Sequence, residues 1–213
     1  MVVTYSHSHI RAVLFDLDGV LIDSFDAWYH QFQDALRYFK FEPISEKVFR
    51  QHWGRSTADD VHTFMPGVRV SEVRQYFQDH YEEYMPFLKT APHARDVLRE
   101  LRTLGLRLGC VTNSHRVIVQ SIMTHLKLGE FFDAVVTADD VARPKPAPDM
   151  LVKICRRLDV MPREAVFVGD TETDLIAGEA AGCTVIGYRN GASECVTDLR
   201  ELSMWIGKKG VGV

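Results

Sequence analysis

The stretch RAVLFDLDGVLIDS, residues 11–24, decides the fold. Its apolar run 12–15 is short and shows no polar alternation, which is typical of a strand buried on both faces of a sheet. Asp16 and Asp18 follow directly, and alternate residues of an extended chain point to the same side. Two carboxylates so placed repel each other unless a cation binds between them. The residues alone also allow a simple Asp-Gly turn that ends the strand.

Four further runs resemble the first in being short, apolar and rich in β-branched residues. Helical patterns separate them, and in 93–105 the apolar residues recur on one stripe before a glycine. Strands that alternate with helices predict an α/β fold with a doubly wound parallel sheet. The four strand candidates are 106–112, 133–138, 165–170 and 184–188, and the other two helical patterns are 114–127 and 146–158.

The long segment 25–88 interrupts this alternation. It is too long for a single crossover between parallel strands, and it holds most of the aromatic residues. We interpret it as an all-α helical domain inserted after the first strand, so that residues 1–24 and 89–213 form the sheet-containing core. The helices expected in the insert are 26–40, 45–53, 57–64 and 70–84.

The composition is that of a globular chain, with 46% apolar and 25% charged residues. The net charge of −4 gives no basic footprint for nucleic acid. The four cysteines form no CxxC pair, and no apolar run has the length of a membrane span. His7 and His9 are expected in a solvated tail and not in a metal site. These features predict a cytoplasmic protein with neither a nucleic-acid nor a membrane partner.

The ends of three later strand candidates carry polar groups. The second ends in VTNS (111–114), the third is followed by Lys145 between prolines, and the fourth ends in GDTETD (169–174). Each has an ordinary explanation, because hydroxyl and acidic residues cap helices and lysines are usually solvated. Carboxyl ends of parallel strands share one edge, however, and that edge is where ligands bind. Together these groups predict a site for phosphate and a cation.

With DLDGVL, VTNS, the lysine of RPKP and GDTETD in this order, the chain resembles the haloacid dehalogenase superfamily of phosphatases over nearly all of residues 10–205. The resemblance implies a Rossmann-like core, with Asp16 as the nucleophile and Asp18 as the general acid and base. It further implies that Thr112 and the backbone of Asn113 hold the phosphate and that Lys145 balances its charge.

The same resemblance implies a magnesium cofactor. Asp16, the carbonyl of Asp18, and Asp170 would form the metal site, and Asp174 would support it. The inserted helices 25–88 correspond to the cap domain of the superfamily, which closes over the active site and opens again for product release.

The cap stretch 52–57 resembles the specificity loop of phosphoglycolate phosphatase-like and β-phosphoglucomutase-like members. Arg55 in this loop is a candidate to bind a second anionic or hydroxyl group of the substrate, and Trp53 is expected in the cap core. The implied function is hydrolysis of a small phosphorylated metabolite by a monomer or homodimer. A phosphotransferase or a pyrophosphatase of the same family remains an alternative, and a non-catalytic binding module is a remote one.

Overall fold

The structure is a computed structural model that describes residues 10–209 of the 213-residue chain. His7 and His9 therefore lie outside the described residues. Within them, no helix is long and apolar enough to cross a membrane. The strands are β1 (Ala12–Phe15), β2 (Ile22–Asp23), β3 (Lys89–Thr90), β4 (Arg107–Thr112), β5 (Ala134–Thr137), β6 (Ala165–Gly169), β7 (Thr184–Tyr188) and β8 (Cys195–Val196).

Helices of two types connect these strands. The α-helices of the described range are α1 (Phe25–Tyr38), α2 (Glu46–His52), α3 (Thr57–Phe64), α4 (Val70–His80), α5 (Ala94–Thr103), α6 (Arg116–His125), α7 (Asp149–Arg157), α8 (Glu172–Ala181) and α9 (Glu201–Lys209). Short 3₁₀ helices span Tyr81–Phe87, Gly129–Phe131, Ala138–Asp140 and Pro162–Glu164.

A parallel sheet forms the centre of the molecule, with the strand order β5-β4-β1-β6-β7-β8. Strand β1 lies in the middle, where Phe15 is opposite Cys110 of β4 and Val168 of β6. All four residues of β1 are fully buried, which explains why its sequence lacks polar alternation. The predicted doubly wound fold is confirmed.

Helices cover both faces of this sheet. Val13 and Phe15 of β1 pack in the layer that contains α5, α6 and α9. Ala12 and Leu14 point to the opposite face and pack in the layer that contains α7 and α8. The alternation of side chains along a strand thus places β1 at the centre of two hydrophobic layers.

The inserted helices form the cap. Helices α1 to α4 lie between β2 and β3, which pair antiparallel so that Ile22 is opposite Thr90. Aromatic rings fill the cap interior, with Phe32 5.3 Å from Phe49 and 5.6 Å from Phe64 between ring centroids. The helical insert is confirmed as part of the fold, while its exact limits, 25–88, stay a prediction.

The structure corrects several element boundaries. The predicted helix 70–84 is wrong at its end, because α4 stops at His80 and the chain continues as a 3₁₀ helix that contains Pro86. Proline has no N–H for an α-helical hydrogen bond. Helix α7 begins at Asp149 and not at residue 146, because the residues before Pro146 and Pro148 disfavour helical backbone. Strands β2, β3 and β8 and helix α9 were not predicted.

Candidate active site

The site lies at the carboxyl edge of the sheet. Because β1 pairs in parallel with β4 and β6, the residues that end these three strands reach the same edge. Asp16 follows β1, Thr112 ends β4, and Asp170 follows β6. The structure therefore brings together side chains that lie far apart in sequence.

Lys145 lies between two carboxylates. Its Nζ donates to Asp16 Oδ1 at 2.8 Å, to Asp174 Oδ1 at 2.6 Å and to the carbonyl oxygen of Val111 at 3.2 Å. Only 3% of Lys145, 6% of Asp16 and none of Asp174 is exposed. A buried ammonium is stable here because each of its protons has an acceptor.

Burial and charge act in opposite directions on these groups. Burial, followed by repulsion from Asp174, raises the pKa of Asp16 well above its ordinary value, and Lys145 pulls that pKa down. Burial alone would lower the pKa of Lys145, but Asp16 and Asp174 hold it above its ordinary value. Lysine therefore stays charged and favours the carboxylate form of its partners.

A third carboxylate leaves this cluster short of positive charge. Oxygens of Asp16, Asp170 and Asp174 lie within 4.8 Å of one another. Asp170 Oδ1 is buried and has no hydrogen-bond partner among the described residues. Burial, with Asp174 adding to it, raises the pKa of Asp170 to about 7. Three carboxylates around one ammonium form a site that favours a further cation.

The donor set fits a hard divalent metal ion. Magnesium prefers carboxylate oxygens and keeps several ligands from water or phosphate. Asp170 Oδ1 has no hydrogen-bond partner in the described chain, and an oxygen of Asp16 lies close enough to share a cation with it. Both oxygens of Asp174 are engaged, one by Lys145 and the other by the backbone N–H of Thr171 at 3.0 Å. This geometry suits Asp174 to the supporting role that the resemblance implies.

Gly19 gives Asp170 the room that it needs. A Cβ built on Gly19 would lie 2.1 Å from Asp170 Oδ2, and the backbone there has φ +83°. Both the contact and the left-handed backbone require glycine. Gly19, which directly follows Asp18, is therefore needed for Asp170 to take its position in the site.

Four donors hold the carboxylate of Asp18. Oδ1 accepts from Ser24 Oγ at 2.6 Å and from Trp28 Nε1 at 3.0 Å. Oδ2 accepts from Ser114 Oγ at 2.9 Å and from Thr112 Oγ1 at 3.3 Å. The side chain of Asp18 is thus fixed beside the cluster and is not one of its cation-facing groups, while it still lines the cavity.

Asn113 positions the lysine loop. Its Nδ2 donates to the Lys145 carbonyl at 3.0 Å, and its Oδ1 accepts from the Lys145 backbone N–H at 3.0 Å. The side chain of Asn113 therefore holds the backbone of Lys145 from both sides. Sequence reasoning gave Asn113 only a backbone role, because nothing local in VTNS indicates a partner 32 positions away.

The cap reaches the core at Gly54. The Gly54 carbonyl accepts from Asn113 Nδ2 at 3.4 Å and from Thr173 Oγ1 at 3.3 Å. A cavity lies under this contact and is lined by core and cap residues together, among them Asp16, Lys145 and Arg55. Arg55 is exposed and lines the cavity at its rim, and its role in substrate binding stays a prediction.

Several site residues were missed from the sequence. Trp28 and Ser24 reach Asp18 from the first cap helix and the residue before it, and His115 lines the cavity with Nδ1 donating to Asp139 Oδ1 at 2.7 Å. Trp53 packs 5.2 Å from Phe25 between ring centroids, as expected for the cap core, but it also lines the cavity. Ser114, which also donates to Asp18, belongs to the VTNS motif, and that motif was the one sequence signal that pointed to any of these missed residues.

Comparison with known proteins agrees with this geometry. Residues 13–188 match the haloacid dehalogenase-like hydrolase family. The phosphoglycolate phosphatase of Escherichia coli strain K12 is 31% identical over 211 residues, which cover 85% of this chain and 82% of that protein. A pyrophosphatase of Bacillus cereus strain Q1 is 34% identical over 177 residues, covering 81% and 80%.

A solved structure supports the fold. The crystal structure of CbbY from Rhodobacter sphaeroides, in complex with phosphate, has a TM-score of 0.81 at 22% identity and covers 91% of this chain and 96% of its own. At this identity the similarity concerns the fold alone. It confirms the Rossmann-like core with a helical cap.

The chain belongs to the haloacid dehalogenase-like hydrolase family. The predicted resemblance to its phosphoglycolate phosphatase-like branch is confirmed, and so is the predicted enzyme class, a phosphatase. The roles of individual residues, the metal and the substrate remain proposals.

Proposed function

We propose that this protein hydrolyses a small phosphate monoester in the presence of magnesium, through a phosphoryl group carried transiently by Asp16. The observation that carries the proposal is the buried contact of Lys145 with Asp16 and Asp174, next to the unpartnered oxygen of Asp170. Such a cluster accepts a cation and, with it, the charge of a phosphoryl group.

Asp16 is suited to attack phosphorus. Lys145 holds Oδ1 at 2.8 Å, which fixes the carboxylate so that Oδ2 attacks phosphorus while Oδ1 is the oxygen that would face the metal. Burial raises the pKa of this group, and Lys145 pulls that pKa down and so favours the ionised form that a nucleophile requires. The attack forms a bond between Oδ2 and phosphorus as the bond to the leaving oxygen breaks.

Asp18 is suited to move the proton. In the first step its carboxyl group donates a proton to the leaving oxygen, and in the second it takes one from the water that attacks the phosphorylated Asp16. The hydroxyl groups of Ser24, Ser114 and Thr112 can either donate to Asp18 or accept from it. They therefore support both protonation states in one position.

The remaining core residues bind charge. Thr112, the backbone of Asn113 and Lys145 would hold the phosphoryl oxygens, and Lys145 neutralises charge on them. Asp16, the Asp18 carbonyl and Asp170 would hold magnesium, with Asp174 in support. When bound, the metal ion polarises the phosphoryl group and offsets its negative charge.

For the substrate we propose a short ester of the phosphoglycolate type, with Arg55 binding the second anionic group. The support is the position of Arg55 at the cavity rim, together with the phosphoglycolate phosphatase among the relatives. The pyrophosphatase among the relatives supports a second candidate substrate, pyrophosphate, for which phosphate itself is the leaving group. A β-phosphoglucomutase-like transfer would use the same core residues.

A panel of esters tests this function. Wild-type protein with magnesium should release inorganic phosphate from phosphoglycolate and from an aryl phosphate, and excess chelator should stop both reactions. Pyrophosphate and a hexose phosphate in the same panel report on the two alternatives. Activity that persists in excess chelator, or the absence of phosphate release from every ester, would contradict the proposal.

A further inference from the structure

The cap side of the cavity is mainly aromatic. The rings that line it belong to Trp28, Phe32, Phe49, Trp53 and Phe77. Such a wall binds an apolar body, and its only hydrogen-bonding groups in the described chain are the indole N–H donors of the two tryptophans, so it offers a polar leaving group no acceptor. Polar cap side chains that also line the cavity in the described chain are His52, Arg55, Thr57 and Asp60.

Two of these polar groups are enclosed and unsatisfied. Asp60 Oδ1 and His52 Nδ1 are inaccessible to solvent and have no hydrogen-bond partner in the part of the chain that the structure describes. Buried polar atoms without a partner are rare, because losing hydration without gaining a hydrogen bond destabilises the folded protein. Because both residues line the substrate cavity, a ligand seated against them is in position to supply the missing partner.

Asp59, the neighbour of Asp60, has a different task. Its carboxylate accepts from the hydroxyl of Ser56 at 2.7 Å and from the Ser56 backbone N–H at 3.3 Å, which caps α3. Asp59 is not among the described residues that line the cavity. Of the two adjacent acids on α3, Asp59 therefore caps the helix and Asp60 lines the substrate cavity.

The charge states of the two unsatisfied groups suit a neutral hydrogen-bond donor. Burial, followed by repulsion from Asp59, raises the pKa of Asp60 to about 7, and Arg55 opposes this rise. Burial and then Arg55 lower the pKa of His52. At neutral pH the imidazole is therefore uncharged and keeps one nitrogen as an acceptor.

We propose that Asp60, assisted by His52, is a specificity-determining residue that accepts a hydrogen bond from a hydroxyl group on the leaving alcohol of the substrate. This inference rests on the proposed phosphatase function and adds to it a preference for short esters with a free hydroxyl group on the leaving alcohol, a group that phosphoglycolate itself lacks. Arg55 at the rim serves an anionic group, and Asp60 on the inner wall serves the hydroxyl.

The test compares two esters that differ by one hydroxyl group, 2-hydroxyethyl phosphate and ethyl phosphate. At pH 8, above the raised pKa of Asp60, wild-type protein should show a kcat/KM ratio of about tenfold or more in favour of the hydroxylated ester, as expected for a hydrogen bond to a charged group. Asp60→Ala should bring that ratio to within about twofold of one. The matched control Asp59→Asn keeps an acceptor for Ser56, and at this pH it should keep the wild-type ratio because Asp60 is ionised with or without its charged neighbour. An aryl phosphate is measured alongside.

Each outcome decides the matter. A wild-type ratio near one, or an equal ratio in wild type and Asp60→Ala, would overturn the role of Asp60 while the aryl phosphate still reports an active phosphatase. Absence of turnover of all three esters by the wild type would instead overturn the proposed function. If thermal denaturation shows that Asp60→Ala is poorly folded, the kcat/KM ratio of the two esters is measured with Asp60→Asn instead, because this variant keeps the size of the side chain.

Discussion

Replacing Lys145 with methionine is expected to lower the free energy of unfolding by about 4 kcal/mol at pH 7 in the presence of a chelator. Lys145 contacts Asp16 and Asp174 at 2.8 and 2.6 Å, and both carboxylates are buried. Removing one partner of a buried ion pair costs about 3–5 kcal/mol, because the remaining charge has no compensation. Methionine keeps the length of the side chain, so the lost charge dominates the effect.

The loss should become smaller at lower pH. Burial and Asp174 already raise the folded-state pKa of Asp16, and removal of Lys145 raises it further. The folded variant then binds a proton that the unfolded chain does not, so its stability falls as pH rises between the two pKa values. The variant can avoid a buried unpaired charge by protonating Asp16. For an aspartate of ordinary pKa this protonation costs about 4 kcal/mol at pH 7 and about 1.5 kcal/mol at pH 5, so the loss of stability cannot exceed these values.

Urea denaturation at pH 5, 6 and 7 measures this difference. Lys153→Met is the matched control, because Lys153 is 39% exposed and lies 3.8 Å from its acidic partner Asp140. The control should lose less than about 1 kcal/mol. A loss below about 1 kcal/mol for Lys145→Met at pH 7, or the same loss at pH 5 and pH 7, would refute the electrostatic account of the cluster.

Three further changes address the metal, the substrate and the backbone. Asp170→Asn should raise the magnesium concentration for half-maximal activity by at least about tenfold, and an unchanged requirement in a titration would remove Asp170 from the metal site. Arg55→Ala should lower kcat/KM for phosphoglycolate by about tenfold and affect an aryl phosphate much less, whereas equal losses would mean that Arg55 serves cap folding or closure. Gly19→Ala should lower both thermal stability and magnesium affinity, because the new Cβ meets Asp170 Oδ2 at 2.1 Å, and wild-type values of both would show that the loop adjusts freely.

The core of the site was predictable from sequence because its groups follow strands. Asp16, Thr112 and Asp170 each end or follow an apolar run that reads clearly as a buried strand. Parallel neighbours share their carboxyl edge, so the convergence of these residues needed only the alternation of strands and helices. The proline residues on both sides of Lys145 further marked a fixed loop at that edge.

The surroundings of Asp18 were not predictable in the same way. Trp28 reaches Asp18 from a cap helix, and Ser114 reaches it from 96 positions away. No local pattern encodes such pairs, because they depend on how the cap and core meet. Asp60 illustrates the same point, since the sequence shows only an acidic residue in the first turn of a helix, where acids are common.

Short or weakly patterned elements were also missed. Strands β2 and β3 have two residues each, as does β8 at the edge of the sheet. Two residues are too few to show a hydrophobic period. Strand β8 pairs with the free edge of β7, and β2 and β3 pair with each other where the chain enters and leaves the cap, so these elements depend on the fold and not on the local sequence.

Formation of a phosphorylated Asp16 is the central claim, and rapid-quench mass spectrometry tests it most directly. Wild-type protein mixed with magnesium and excess aryl phosphate, then quenched in acid within a turnover, should show one added phosphoryl group on the peptide that contains Asp16. Hydroxylamine should remove it, as expected for an acyl phosphate. Asp16→Asn should show no added group and no phosphate release. Steady turnover by wild type without this adduct, or phosphate release by Asp16→Asn at the wild-type rate, would contradict the account.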